Sequence, residues 1–121
     1  MRIYLAGKVT ARERLRVTRA HLLALGHQVN STWLDVAIDY PEAFNQIMEP
    51  KRDLIEIAQC SMLLLDTIDV SETGGREFEA GFAHALGKAL WRVGPKRHIF
   101  HSLASREFND WNAALTALIN V

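Results

Sequence analysis

Apolar positions along the chain fall into two recurring patterns, short unbroken runs and stripes at helical spacing, and the two alternate. RIYLA, residues 2–6, is a β-branched and aromatic run that stops at Gly7, which predicts a buried first strand ending in a tight turn. From Thr10 to Leu25 the spacing places Leu15, Leu22 and Leu25 on one stripe of an amphipathic helix, with Thr10 as N-cap and Gly26 as the stop. HQVNSTWL, residues 27–34, alternates as a second strand does, and residues 35–44, which hold Pro41, predict a loop. A helix is expected from about Phe44, kinked or restarted at Pro50 because proline lacks the amide donor. Further on, residues 51–60 place Leu54, Ile57 and Ala58 inward, and SMLLLD, residues 61–66, is a continuous apolar run suited to a central parallel strand. After the loop TIDVSETGG come a helix over residues 76–88, a strand over 89–94, a short strand over 97–100 and a final helix from about Ser105 to Ile119.

The resulting order, β-α-β-α-β-α-β-β-α, implies an α/β fold with a doubly wound parallel sheet of about five strands in a single domain spanning residues 1–121. No internal repeat, linker or low-complexity segment interrupts it. In such sheets a ligand sits beyond the carboxyl ends of the strands, where the strand order reverses. The loops after residues 6, 34, 66 and 94 should therefore gather Gly7, Lys8, Asp35 and the 67–79 segment.

With 121 residues, 49% of them apolar, the chain can bury one core of ordinary size. Fourteen basic residues offset fourteen acidic ones, so no net attraction to polyanions is built in and a nucleic-acid partner is not expected. The single cysteine, Cys60, cannot form an internal disulfide, and neither a signal peptide nor an apolar run near 18 residues is visible. The expectation is a soluble, cytoplasmic protein with no membrane partner. A near-neutral surface over a small core favours a homodimer or higher homo-oligomer. His84, His98 and His101 show no ligand spacing with Cys60 or the acids, so no metal is expected, and no motif calls for a cofactor.

Candidate chemistry concentrates in TGGREFEAGFAHALGK, residues 73–88, where Gly74 and Gly75 lead from the central strand into a helix. Free amides in such a turn suit an anion. Glu79 would lie near the first turn, where the dipole favours an ionised carboxylate and keeps its pKa low. Ala80, Gly81, Ala83, Ala85 and Gly87 would let that helix approach the sheet closely. Glu77 points about 200° away from Glu79 on a helix of 3.6 residues per turn, and is expected to be solvated or paired with Arg76. Arg76 is the phosphate candidate of the segment. Gly7 and Lys8 lack a GxGxxG or Walker pattern, so an ordinary turn competes with a phosphate cradle there. Asp53, beside Lys51 and Arg52, can also be read as a solvated charge at a helix start, and Tyr4 as a core aromatic.

Taken together, IYLAG at the amino end, RDLIEIAQCSMLLLDTID in the middle and GGREFEAGFAHALGK afterwards resemble the nucleoside 2-deoxyribosyltransferase family and its nucleotide N-hydrolase relatives. The signature Glu-x-Gly-[Phe/Tyr]-Ala-x-Ala-x-Gly-Lys is met by Glu79, Gly81, Phe82, Ala83, Ala85, Gly87 and Lys88. The resemblance implies a flavodoxin-like fold, Glu79 as the nucleophile, Asp53 as the carboxyl that handles the leaving base, and Tyr4 as the residue that positions the glutamate. It also implies an aspartate for the sugar hydroxyls, either Asp66 or Asp69, with Asp69 preferred. Gly7, Gly74, Gly75 and Arg76 complete the expected substrate contacts. A neighbouring subunit often completes the pocket in this superfamily, which makes His101, Ser102 and Asn112 candidates. The implied partner is a small nucleoside or nucleotide, and the implied reaction is glycosyl transfer at the N-glycosidic bond of a 2'-deoxynucleoside through a deoxyribosyl-Glu79 ester. A 2'-deoxynucleoside 5'-monophosphate N-hydrolase is the alternative, and a catalytically silent nucleotide-binding module is a third reading.

Overall fold

The computed structural model describes residues 1–36 and 50–121. Its regular elements are β1 (Arg2–Ala6), α1 (Arg12–Ala24), β2 (Gln28–Val29), α2 (Pro50–Gln59), β3 (Met62–Asp66), α3 (Gly75–Ala85), β4 (Ala89–Val93), β5 (Arg106–Phe108) and α4 (Trp111–Leu118). Short 3-10 turns occupy Val9–Ala11, Thr32–Asp35 and Ile99–Leu103. All pairings in the sheet are parallel, and the strand order is β2-β1-β3-β4-β5. This is the flavodoxin-like, doubly wound arrangement that the alternation of patterns predicts. The order reverses between β1 and β3, so the crevice opens beyond Ala6 and Asp66.

Strands β1 and β3 are covered on both faces, which is why they read as unbroken apolar runs: Ile3 to Ala6 and Met62 to Asp66 are all buried. Register assigns their faces. Tyr4 pairs with Leu63, so Tyr4 and Leu63 share a face and Asp66, three residues on, takes the other. Tyr4 reaches Glu79 of α3, whereas Asp66 reaches Arg14 of α1 and Trp111 of α4. Helices α2 and α3 therefore cover one face, and α1 and α4 cover the other.

Several boundaries differ from the sequence reading for identifiable reasons. The strand expected over 27–34 keeps only Gln28–Val29 in the ladder. Beyond it the Ser31 hydroxyl accepts from the Leu5 amide at 2.7 Å and the Trp33 indole donates to the Leu5 carbonyl at 2.8 Å. Side chains thus satisfy β1 where a backbone partner would otherwise continue. The strand expected at 97–100 lies instead at Arg106–Phe108, and Ile99–Leu103 forms a 3-10 turn, so the last helix starts at Trp111, capped by Asp110 accepting from the Ala113 amide at 2.9 Å. Thr10 does not cap α1: its hydroxyl donates to Asp69 at 3.2 Å, and the N-cap residue is Ala11. Gly26 does close α1 in the left-handed region, at φ +90°. Leu25 and Ala58 are exposed rather than inward, and Thr18 and Glu56 are buried on α1 and α2 instead. Of the expected helix around Phe44, residues 44–49 lie outside the described residues, as does most of the 35–44 loop. Among the described residues, no helix is long and apolar enough to cross a membrane.

Candidate active site

The side chains that meet beneath the crevice come from three elements. Tyr4 of β1 is fully buried, and its hydroxyl donates to Oε2 of Glu79 on α3 at 2.5 Å. Asp53 and Glu56 of α2 act electrostatically on both partners, so two further carboxyl groups bear on the Tyr4–Glu79 pair. Glu56 is itself buried; its Oε1 accepts from the Thr32 amide at 3.2 Å, and its carbonyl accepts from Asn30 Nδ2 at 2.7 Å. Sequence reading passed over Glu56, although its spacing of three from Asp53 puts both acids on one side of α2.

Burial pushes the Glu79 carboxyl up to about 8; the Tyr4 hydrogen bond works in the opposite direction, and Asp53 and Glu56 add to the rise. The same burial, and the charge of Glu79, raise the Tyr4 phenol, which stays a donor. This corrects the expectation of a low pKa at a helix start. Glu79 is the fifth residue of α3, beyond the reach of the first-turn amides, and the acid in the first turn is Glu77.

Glu77 is not solvated. It accepts from Arg76 Nε at 3.1 Å and lies 3.3 Å from His101 Nε2, on the flank of α3 that faces the Ile99–Leu103 turn. Burial lowers the His101 imidazole, while Glu77 opposes that shift. His101 is buried, so it cannot extend to a neighbouring subunit; its Nδ1 accepts from the Arg97 amide at 3.0 Å. Ser102 donates to the Ile99 carbonyl at 2.6 Å, and Asn112 stands exposed.

Asp66 is fully buried and committed. It receives Arg14 Nε and Nη2 at 3.0 and 3.1 Å, the Trp111 indole at 2.8 Å and the Ile68 amide at 3.0 Å. Asp69 is partly exposed and holds Arg14 Nη2 and the Thr10 hydroxyl, both at 3.2 Å, so of the two aspartates it is the one a ligand can reach. Arg76 is buried; its Nη1 donates to the carbonyls of Asp66 and Asp69 at 3.3 and 2.7 Å, which fixes the start of the 66–74 loop. Gly74 precedes α3 at φ +78°, with no side-chain cap, and both it and Gly75 are exposed.

Gly7 has a packing role: a Cβ there would stand 3.0 Å from Leu15 Cδ1 and 3.3 Å from Asp66 Cβ. Lys8 donates to the Val70 carbonyl at 3.0 Å, bridging the two loops of the crevice. Asp35, expected beside them, pairs instead with Arg19 through two bonds of 2.8 Å, which hold its carboxyl below the ordinary range. Of the small residues on α3, Ala80 and Ala83 are the buried ones. Ala85 and Gly87 are exposed, and Gly81 has open space where a side chain would stand.

The same arrangement of strands and helices is found in known proteins. A 2-deoxyribosyltransferase from Bacillus psychrosaccharolyticus superimposes with a TM-score of 0.70 at 23% identity, over 98% of this chain and 96% of that one. A CMP N-glycosidase from Clostridium botulinum gives 0.62 at 20% identity, over 98% of each chain. The fold is shared with both. A conserved protein from Enterococcus faecalis gives 0.66 at 14% identity, over 96% of this chain and 95% of the other. No family model matches the chain, and no curated protein matches its sequence. The first two neighbours have the fold that the resemblance read from IYLAG and the segment around Glu79 implies.

Proposed function

We propose that this chain is an enzyme that opens the N-glycosidic bond of a 2'-deoxynucleoside with Glu79 as nucleophile, and passes the sugar to a second base. The observation that carries the reading is the 2.5 Å bond from Tyr4 to Glu79 with Asp53 beside both. In the reaction, Glu79 attacks C1' as the bond to the base nitrogen breaks, and a carboxyl proton, assigned to Asp53, goes to the departing base. The positive charge that develops on the sugar ring favours the ionised form of Glu79, which burial otherwise opposes. Tyr4 leaves one carboxylate oxygen occupied and aims the other. The resulting ester is consumed by an incoming base, whose nitrogen bonds to C1' as the bond to Glu79 breaks, its proton returning to Asp53 and Glu79 leaving as the carboxylate. Asp69 is the residue proposed for the sugar hydroxyls.

A 5'-monophosphate N-hydrolase is the second reading, favoured by the similarity in fold to a CMP N-glycosidase, with water replacing the second base. A panel of deoxynucleosides and their monophosphates, each incubated with a second base and resolved by chromatography, separates the two. Exchanged nucleoside supports the transferase, and free base from monophosphates alone supports the hydrolase. Under either reading Glu79→Ala loses all turnover, whereas Glu13→Gln, on the exposed side of α1, keeps it. Nucleotide binding without turnover or a covalent adduct would leave the silent binding module.

The proposal includes self-association. Phe78 of α3 is 64% exposed, and on the adjoining turn Ile99, Phe100 and Leu103 are 72%, 59% and 38% exposed. This apolar area supports a homo-oligomer.

A further inference from the structure

Beside the amino-terminal end of α3 lies a cleft of about 390 Å³, lined by Val70, Ser71, Arg76, Glu77, Pro95, Lys96, Arg97 and His98. Its walls are the loop after β3 and the loop after β4. None of Tyr4, Asp53, Glu56 and Glu79 lines it. The bond-breaking steps proposed above use none of its residues, although Arg76, expected from the sequence as a substrate contact, is among them.

Its charge is far from that of the whole chain, whose formal net charge is zero. Arg76, Lys96 and Arg97 contribute three cations against one carboxylate, Glu77, whose Oε1 is already held by Arg76 and His101. Neither Lys96 nor Arg97 forms an ion pair among the described residues, where Arg14, Arg16, Arg19, Arg76 and Arg92 all do. The two guanidinium groups are also fixed. Arg97 donates from Nε to the Thr67 carbonyl and from Nη2 to the Ile68 carbonyl, both at 2.8 Å, and Arg76 grips the Asp66 and Asp69 carbonyls of the same loop. These bonds occupy Nε and Nη2 of Arg97 and Nε and Nη1 of Arg76, and none of them uses the remaining terminal nitrogen of either group. His98 accepts the Phe100 amide at Nδ1, so its neutral ring carries the proton on Nε2.

We propose that this cleft binds the phosphoryl group of a small metabolite, at a site separate from the Glu79 cluster. Donors of three kinds come from two sides, the Arg76 guanidinium from the start of α3, and the Lys96 ammonium, the Arg97 guanidinium and the His98 imidazole from the loop after β4. That suits a tetrahedral polyanion better than a planar carboxylate, which takes a parallel pair of bonds from one guanidinium. Because Arg76 and Arg97 are held by backbone carbonyls, little side-chain freedom is lost when the anion arrives. The volume leaves room for an organic group beside the phosphate.

Titration of the full chain with inorganic phosphate, followed by calorimetry at fixed ionic strength, tests this without reference to catalysis. Saturable binding with a dissociation constant on the order of a millimolar or below is expected. Lys96→Glu, at an exposed residue whose side chain makes no hydrogen bond or ion pair among the described residues, should weaken it about tenfold or more. Glu79→Gln and Tyr4→Phe should leave it unchanged. Arg2→Glu supplies the same charge change at the opposite end of the sheet and should also leave it unchanged. Absence of saturable binding, equal weakening by Lys96→Glu and Arg2→Glu, or loss in Glu79→Gln would each overturn the proposal.

Discussion

Glu79 shows how one side chain joins stability to reactivity. A carboxyl whose folded pKa of about 8 exceeds its unfolded value near 4.3 gives most stability below the lower value. That stability drains away as pH rises toward the higher one, because the unfolded chain ionises first. Wild-type protein should lose a few kcal/mol, relative to Glu79→Gln, between about pH 4.5 and pH 8, measurable as diverging denaturant midpoints. If ionised Glu79 is the nucleophile, kcat/KM should climb with pH through about 8. Tyr4→Phe removes the bond that favours ionisation, so it should move that rise to higher pH and cut the rate at pH 7 by about tenfold. A Tyr4→Phe variant with an unshifted profile would remove the tyrosine from its positioning role. Position 79 was legible in the sequence because glycines and alanines frame it, but its protonation was not. The charge state depends first on burial, then on the Tyr4 hydrogen bond and on Asp53 and Glu56, all supplied by segments more than twenty residues earlier in the chain. The pairing of Glu77 with Arg76 was among the readings its sequence neighbour offered, but the contact with His101 was not, since it joins α3 to a turn it does not adjoin in the chain.

Among the elements, the two central strands and α3 were the clearest to read, because burial on both faces leaves an unbroken apolar run. The edge strands were the hardest. β2 is cut short by Ser31 and Trp33, and β5 follows a turn that presents apolar residues to solvent, so hydrophobicity alone misplaced it. The connection after β4 depends on Gly94, which the sequence reading took only as a strand end. Its φ is +116°, and a Cβ there would approach Thr67 Oγ1 to 2.7 Å and the Ile68 amide nitrogen to 2.8 Å. Gly94→Ala should therefore destabilise the protein by about 2 to 4 kcal/mol, read as a lower midpoint in thermal or denaturant unfolding. The end of β3 carries a comparable demand. Asp66→Ala strands the Arg14 guanidinium and the Trp111 indole, and should cost about 3 kcal/mol or more in the same measurement. If either variant unfolds as wild type does, the packing described at that loop is not what holds it.

For the whole molecule, balanced charge conceals an uneven surface. The apolar area around Phe78 and the Ile99–Leu103 turn adjoins the cationic cleft, so opposite tendencies, association and anion capture, lie side by side. Replacing Phe100 with glutamate should shift sedimentation of the protein toward a monomer while far-ultraviolet dichroism stays unchanged. No change in sedimentation would count against self-association through this face. The architecture itself followed from the alternation of runs and stripes, whereas partner surfaces leave no periodic mark in a sequence. One further property comes from the indole of Trp111, which donates to the buried carboxylate at the end of β3 directly under the crevice. Nature has thereby wired a fluorophore to the floor of the binding region, and changes in its emission will report occupancy overhead without any added label.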